Sequence, residues 1–398
     1  MVANINSFTP VLKEVYEGKV RDQLDNEVTT LKRIEKTSTG VSSNIEGKYV
    51  TFPVHLTRSN ALGSRAEYDY LPEPDRQGYK AVQINLTSAY ASIELTGQAI
   101  DFSQRDPQAF AKALDEEVTR IKDDARKDLN RQVYGTHVGT ISTVSGSPAA
   151  NATSITVADA SRFTRNDKVD MIDISASNAV IRTVVVTGIN TSTNTLTVTG
   201  DAGTAAGATG DLLVRHGSLN NEIYGLEEII QSSGTLYNVT DDEWTANVTN
   251  VGGALSEGAM VRMADDIRQR GGKTTVIFQS AGVRRAYWNL LSQLRSVVNT
   301  QEFKGGFTGL AFTTDNGEIP VVADFDAPTG TQYFVNEDAL TLYRESPWNW
   351  LDRDGNMWKQ VTDGGGVRDA WRAHMVQRHQ LGTDRRNTHG KLTNITEA

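Results

Sequence analysis

The spacing of hydrophobic positions changes several times along the 398 residues. In the first 45 residues, Leu12, Tyr16, Val20, Leu24, Val28, Leu31 and Ile34 recur at intervals of four and three, the stripe of one amphipathic helix. The remaining faces of this arm mix six Lys/Arg with six Asp/Glu. Such a helix has too little mass to bury its own stripe, so it must lie either on its own core or on a neighbour. From Gly47 to Gly97 the period becomes two: Val50, Phe52, Val54 and Leu56 alternate with polar residues, and Val82, Ile84 and Leu86 do the same beyond a turn-rich stretch from Leu71 to Gly78. This predicts an extended hairpin, and a lone two-stranded ribbon needs a surface to lie on.

Asp106-Pro107 marks a helix start, a carboxylate cap with proline at the first helical position. Phe110, Leu114, Val118, Ile121, Ala125, Leu129 and Val133 then form a stripe that stops at Gly135, predicting a long spine helix. Residues 138–217 change character: 22 Ser/Thr, Phe163 as the sole aromatic, and no Glu, Trp or Tyr. Short aliphatic runs separated by Gly, Asn and Asp predict a small antiparallel sandwich or barrel, either an inserted domain or one lobe with the residues beyond Gly217. From Ser218 the pattern is mixed, with helices over Ala254–Arg270 and Ala281–Val298, a buried strand at Thr274–Phe278, and further strands at 319–323, 332–335, 339–343 and 369–381. The fold class expected is α+β.

Charge and composition narrow the chemistry. The net charge of −9 makes the whole chain a poor electrostatic match for nucleic acid, although residues 366–398 carry six Lys/Arg against three acids. The absence of cysteine excludes disulfides, thiolate nucleophiles and cysteine-ligated metals. No apolar run reaches membrane-spanning length, and Met1–Gly18 does not read as a signal segment. Gly272-Lys273-Thr274 resembles the end of a phosphate loop but has Ile267 where the first glycine belongs, and it comes after a helix, so it reads as a helix cap. Asp352-Arg-Asp-Gly-Asn356 mimics a calcium loop, but Met357 occupies the sharp-turn position, so a hairpin turn between Trp350 and Trp358 is expected. His374 and His379 have the spacing of neither a helical nor a strand ligand pair. Nothing assembles an acid, a base and a nucleophile. No catalytic residue, metal site or cofactor is expected.

The order of segments resembles the major capsid protein of tailed bacteriophages, the Hong Kong 97-type fold. The resemblance covers nearly the whole chain apart from 138–217. It is carried by Thr275-Val-Ile-Phe278 before a helix bearing Arg284-Arg-Ala-Tyr-Trp288, the Gly305-Gly and Gly309-Leu310 loop, Ile319-Pro-Val-Val-Ala323, Tyr333-Phe-Val335, Arg372-Ala-His-Met-Val-Gln-Arg378 and Gly390-Lys-Leu392. The resemblance implies an N-terminal arm at 1–45, an extended loop at 46–95 that overlaps the adjoining subunit, a peripheral domain from 96–137 with 338–398, and an axial domain at 218–337. Residues 138–217 would be an inserted all-β domain, and the 299–311 loop would lie at the ring axis. Leu12, Tyr16, Val20, Leu24, Leu71, Pro72, Pro74, Arg76, Tyr79, Phe303 and Phe307 become candidate contacts between subunits.

The function so implied is structural: copies assemble as hexamers and pentamers into an icosahedral shell around double-stranded DNA, touched weakly and without sequence preference. Further expected partners are a portal and scaffold, protease or decoration proteins. The location would be the virion after synthesis in the bacterial host cytoplasm. An acidic pI of 5.3 suits a lining that does not grip phosphates. A nanocompartment shell around a cargo enzyme is the alternative of the same fold, and a hydrolase with a β-rich accessory module is the alternative of another class.

Overall fold

A computed structural model describes residues 28–36, 41–42, 49–98, 107–200, 203, 205–295, 310–314, 317–352, 355–363 and 366–398. Helix α1 (Thr29–Lys36) and strand β1 (Val41–Ser42) precede an antiparallel ribbon of β2 (Tyr49–Thr57) and β3 (Gly78–Asn85). Strand β4 (Thr87–Thr96) leads to α2 (Pro107–Val133), whose 27 residues span about 40 Å. Helix α2 begins at the expected proline. It ends as Tyr134 N–H and Gly135 N–H donate to the Arg131 and Gln132 carbonyls at 3.1 and 2.9 Å, tightening the last turn.

Six short strands come next: β5 (Thr140–Thr143), β6 (Ser154–Thr156), β7 (Lys168–Asp173), β8 (Ala179–Asn190), β9 (Thr195–Gly200) and β10 (Leu212–Arg215). They pair antiparallel in the order β5-β10-β7-β8-β9-β6. A bridge between Val144 and Val157 then joins the two outer strands, with Ala158 N–H donating to Thr143 O at 2.9 Å and Ser145 N–H to Thr156 O at 2.8 Å. The sheet is therefore a closed barrel. Alternate residues such as Ile155, Val169, Met171, Val184, Val186, Leu196, Val198 and Leu213 point inward and form a core of their own.

Beyond the barrel come α3 (Leu226–Ile229), β11 (Asn247–Ala254), α4 (Glu257–Gln269), β12 (Val276–Gln279), α5 (Ala281–Arg295), β13 (Leu310–Thr314), β14 (Gly317–Ala323) and β15 (Gln332–Val335). The last strands are β16 (Leu340–Arg344), β17 (Asn349–Trp350), β18 (Trp358–Asp363), β19 (Gly366–Thr383) and β20 (Gly390–Thr396). Strand β19, 18 residues long, organises one sheet: β4 pairs along one edge, and β16, β17 and β18 succeed one another along the other. Helix α2 packs on this sheet through Val118 and Ile121 against Ala91, Ile93 and Met375. A second sheet, β11-β20-β15-β12-β14-β13, is covered by α4 and α5 through Met260, Met263, Ile267, Val283 and Tyr287. Between the sheets lies the largest core, shared by α1, the ribbon, α2, α3, β15, β16 and β19. Arg386, fully buried, braces it: its guanidinium donates to the carbonyls of Ile229, Gly234 and Trp244 at 2.8, 3.1 and 2.8 Å. No helix among the described residues is long and apolar enough to cross a membrane.

Three expectations are corrected. The segment 46–95 is not one extended loop, because Thr87–Thr96 pairs with β19 over ten consecutive residues and belongs to the first sheet. The segment 338–398 does not stay in one unit: β20 crosses to the second sheet, parallel to β11 and antiparallel to β15. Trp350 and Trp358 are not cross-strand partners of a hairpin. Their strands lie end to end along β19, opposite Met375 and Ala373, which still brings the two indole rings to 6.5 Å between centroids.

Candidate assembly surface

The ribbon divides into an anchored base and an open tip. At the base Val82 and Ile84 are fully buried, and Val50, Phe52, Val54 and Leu56 pack on the central core from the facing strand. Gln83 N–H donates to Tyr237 O at 3.2 Å, and Tyr237 in turn donates its hydroxyl to Leu381 O at 2.9 Å. The base thus finds within its own chain the surface that a two-stranded ribbon needs. Past the Thr57–Gly78 pair the strands part. Only local ties shape residues 58–77: Asn60 N–H donates to Asp75 at 2.9 Å and Ser59 N–H to Gln77 at 3.3 Å. Backbone N–H groups of Asn60 and Arg76 hold the Asp75 carboxyl below its usual range.

At this tip Leu62, Tyr68, Tyr70 and Leu71 are 90%, 102%, 92% and 83% exposed, so the chain alone gives them no burial. Of the candidate contacts, Leu71, Pro74, Arg76 and Tyr79 are exposed here and Pro72 is half-buried. Leu12, Tyr16, Val20, Leu24, Phe303 and Phe307 lie outside the described residues. The other end of the arm stripe, Val28, Leu31 and Ile34, is buried in the subunit's own core.

A polar network fixes the root of that arm. The Thr30 hydroxyl and N–H donate to Asp324 Oδ2 at 2.7 and 3.1 Å, which leaves the Tyr134 hydroxyl to donate to Thr30 at 2.5 Å. Asn130 donates to Asp324 at 3.2 Å and Asp326 at 2.5 Å, and accepts from Leu31 N–H at 3.1 Å. Burial pushes the Tyr134 hydroxyl and the Asp326 carboxyl up. One turn on, Glu35 takes Arg126 from α2 and Arg344 from β16 at 2.5 and 2.6 Å. Sequence reasoning missed these partners, because they are about 100 to 300 positions apart and each is an unremarkable polar residue on its own element.

A cleft of about 1560 Å3 runs between β4, α2 and the neck of the barrel. At the neck Asp128 meets Arg131 and Arg215 at 3.0 and 3.1 Å, and Arg131 also meets Glu222 at 2.6 Å. Burial raises Asp128, but the two guanidinium groups outweigh it and leave the carboxyl lowered; for Glu222 burial wins and the carboxyl is raised. The His137 Nδ1–H donates to Glu228 at 2.7 Å with its ring stacked on Tyr224, and the His216 Nδ1 is bound by Asp170 at 2.8 Å. These carboxylates orient the two imidazoles and brace the joint between α2 and the barrel.

The remaining motifs resolve similarly. His374 and His379 fall on opposite faces of β19: the first meets Ser92 at 2.7 Å, and the second is buried, its imidazole pushed down to about 4 by burial and by Arg344. Gly272 N–H donates to Ile267 O at 2.9 Å beyond Gly271 at φ +79°, a helix cap where a phosphate loop was considered. Among the described residues no group of three or more His, Cys, Asp or Glu could hold a metal ion.

The SU10 major capsid protein family matches residues 217–349, from the neck of the barrel to β17. The structure of the Cyanophage A-1(L) capsid asymmetric unit is similar over 98% of each chain, with 12% identity and a TM-score of 0.60. The chain has the Hong Kong 97-type capsid fold. The capsid of an empty GTA particle is similar over 99% of this chain and 98% of the other, at 10% identity and a TM-score of 0.51. The holo-SrpI encapsulin complex of Synechococcus elongatus PCC 7942 covers 99% and 96% at 6% identity, but its TM-score of 0.45 is too low to weigh. No curated protein matches the sequence significantly.

Proposed function

We propose that copies of this chain close, through hexamers and pentamers, into the icosahedral head shell that encloses the double-stranded DNA of a tailed phage. The observation that carries this reading is the full-length capsid fold bearing a tip with four large apolar side chains in water. Exposed area of that kind gains about 25 cal/mol per Å2 when covered, and repetition over a closed shell turns a weak contact into a durable one. The tip of the 49–85 ribbon reaches the adjoining subunit, and the sheet built on β19 with α2 forms the periphery of each ring, while the sheet from β11 to β15 with β20 lies toward its axis.

The role is structural, with no turnover of substrate. The protein resides in the virion after synthesis in the host cytoplasm. Its further partners are a portal and scaffold, protease or decoration proteins. Packaged DNA is contacted weakly, consistent with a net charge of −9. Negative-stain microscopy of the expressed chain tests the reading: closed particles of uniform size are expected, and monomers persisting under every assembly condition overturn it. Nucleic acid in the particles is the expected content, and a single co-purifying cargo enzyme would favour the nanocompartment alternative.

A further inference from the structure

The arm root and the barrel close on the same turn of α2 from two of its sides. On one side Asn130 accepts from Leu31 N–H at 3.1 Å and donates to Asp324 and Asp326 at 3.2 and 2.5 Å, while Tyr134 meets the Thr30 hydroxyl. On the other, Asp128 holds Arg215 of β10 at 3.1 Å, and Arg131 holds Asp128 at 3.0 Å and Glu222 at 2.6 Å. Glu222 lies on the segment by which the chain leaves the barrel. Asn130 and Arg131 are consecutive, so the two sides share one piece of backbone.

Each side depends on donors that have no spare. The Thr30 N–H and hydroxyl both donate to Asp324 Oδ2. If the arm root withdraws, Asp324 loses both, and the freed Tyr134 hydroxyl can replace only one of them. Asp324 and Asp326 repel each other, and the cations acting on Asp326 are Arg131 and, from the barrel, Arg162. Glu222 is equally exposed to loss: it is buried, its Oε2 has no hydrogen-bond partner among the described residues, and Arg131 is the cation bound to its Oε1. Taking Arg131 from it leaves a buried carboxylate unpaired. The neck beside it is pinned by long bonds, Asn220 N–H to Val138 O at 3.2 Å and Glu222 N–H to His137 O at 3.3 Å.

We propose that this turn of α2 couples the seating of the arm root to the stance of the barrel. With Thr30 and Leu31 seated, the 324–326 carboxylates are satisfied and Arg131 stays on Glu222, holding the neck shut. With them withdrawn, Arg131 swings toward Asp326, Glu222 is released, and the barrel is free to reorient.

Amide exchange of the isolated full-length subunit tests the coupling without appeal to the shell reading. Thr30→Val keeps the shape but removes the hydroxyl; it should speed exchange at Asn220 and Glu222 at least tenfold, and Thr30→Ser should restore the native rate. Coupling acts in both directions, so Glu222→Gln should speed exchange at Leu31. Glu35→Gln breaks the pairs with Arg126 and Arg344 at the far end of α1 and should leave the neck unchanged. Neck amides that ignore Thr30→Val, or respond as strongly to Glu35→Gln, overturn the inference. Should Thr30→Val fail to fold, Leu31 in Glu222→Gln decides alone: faster exchange supports the coupling, and a native rate overturns it.

Discussion

The barrel at 140–215 and the ribbon at 49–85 are both antiparallel β-structure written in alternating apolar and polar residues, yet they solve opposite problems. Six strands suffice for the barrel to close on itself through the Val144–Val157 bridge, so every inward side chain is covered and no edge is left. Two strands cannot close. The ribbon borrows the central core for Val82 and Ile84 and leaves its tip in water. The same local pattern therefore yields a self-sufficient unit in one place and an unfinished surface in the other. Strand number decides which, and an unfinished surface is what an assembling subunit has to keep.

Shortening the ribbon should have the largest effect. Replacing residues 58–77 with a two-residue Asn-Gly turn between the paired Thr57 and Gly78 leaves the anchored base intact. Particle formation should be abolished while the subunit melts where the intact one does, as read by sedimentation and calorimetry. The converse comes from the barrel core. Leu196→Ala should cost about 2 to 5 kcal/mol, seen as early loss of amide protection confined to 140–215, with particles still forming near neutrality.

Acid should separate the two regions by a different route. Burial depresses His389 to about 3 and burial with Arg344 depresses His379 to about 4, against 6.5 in the unfolded chain. Above pH 6.5 both are neutral in either state. Below it the unfolded chain takes up protons that the folded chain refuses, so stability falls as the pH drops toward 4. His389 Nδ1 also accepts from Asn336 N–H at 3.2 Å, a bond that protonation breaks. Burial raises Asp326, Glu222 and Asp384, which works in the opposite direction and softens the fall. In the barrel, burial raises Asp170 but hydrogen bonds from Thr183, His216 and Gly217 win and lower it, so its contribution is lost only as pH falls below 3.8. Hydrogen exchange between pH 7 and 4.5 should therefore show the two sheets loosening while the barrel stays protected. The smallest effect belongs to the neck: Arg215→Ala removes a half-exposed ion pair with Asp128, and a loss of at most about 1 kcal/mol is expected. The barrel core should be unchanged, and its orientation in particle images should broaden.

Local signals made part of this molecule legible in its sequence. Pro107, the stripe from Phe110 to Val133 and Gly135 delimit α2 because each acts within a few residues. The turn-rich Ser/Thr composition of 138–217 foretells β-structure for the same reason. What escaped is non-local. Alternation continues through Leu86 without a glycine or proline, so nothing announces that Thr87 leaves the ribbon for the first sheet. Strand β20 pairs with β11 over more than 140 positions, and the two tryptophan strands choose β19 over each other. The exposed tip was legible as turn chemistry at Leu71, Pro72 and Pro74. Its more telling limb, around Leu62, carries too few apolar residues to stand out.

Hydrogen exchange of residues 58–77, compared between isolated subunits and assembled particles, tests the central claim most directly. The tip amides should exchange at nearly the rate of an unstructured peptide in the subunit and become strongly protected in the particle, with the barrel equally protected in both. Tip amides already protected in a lone subunit, or still unprotected in closed particles, would contradict it.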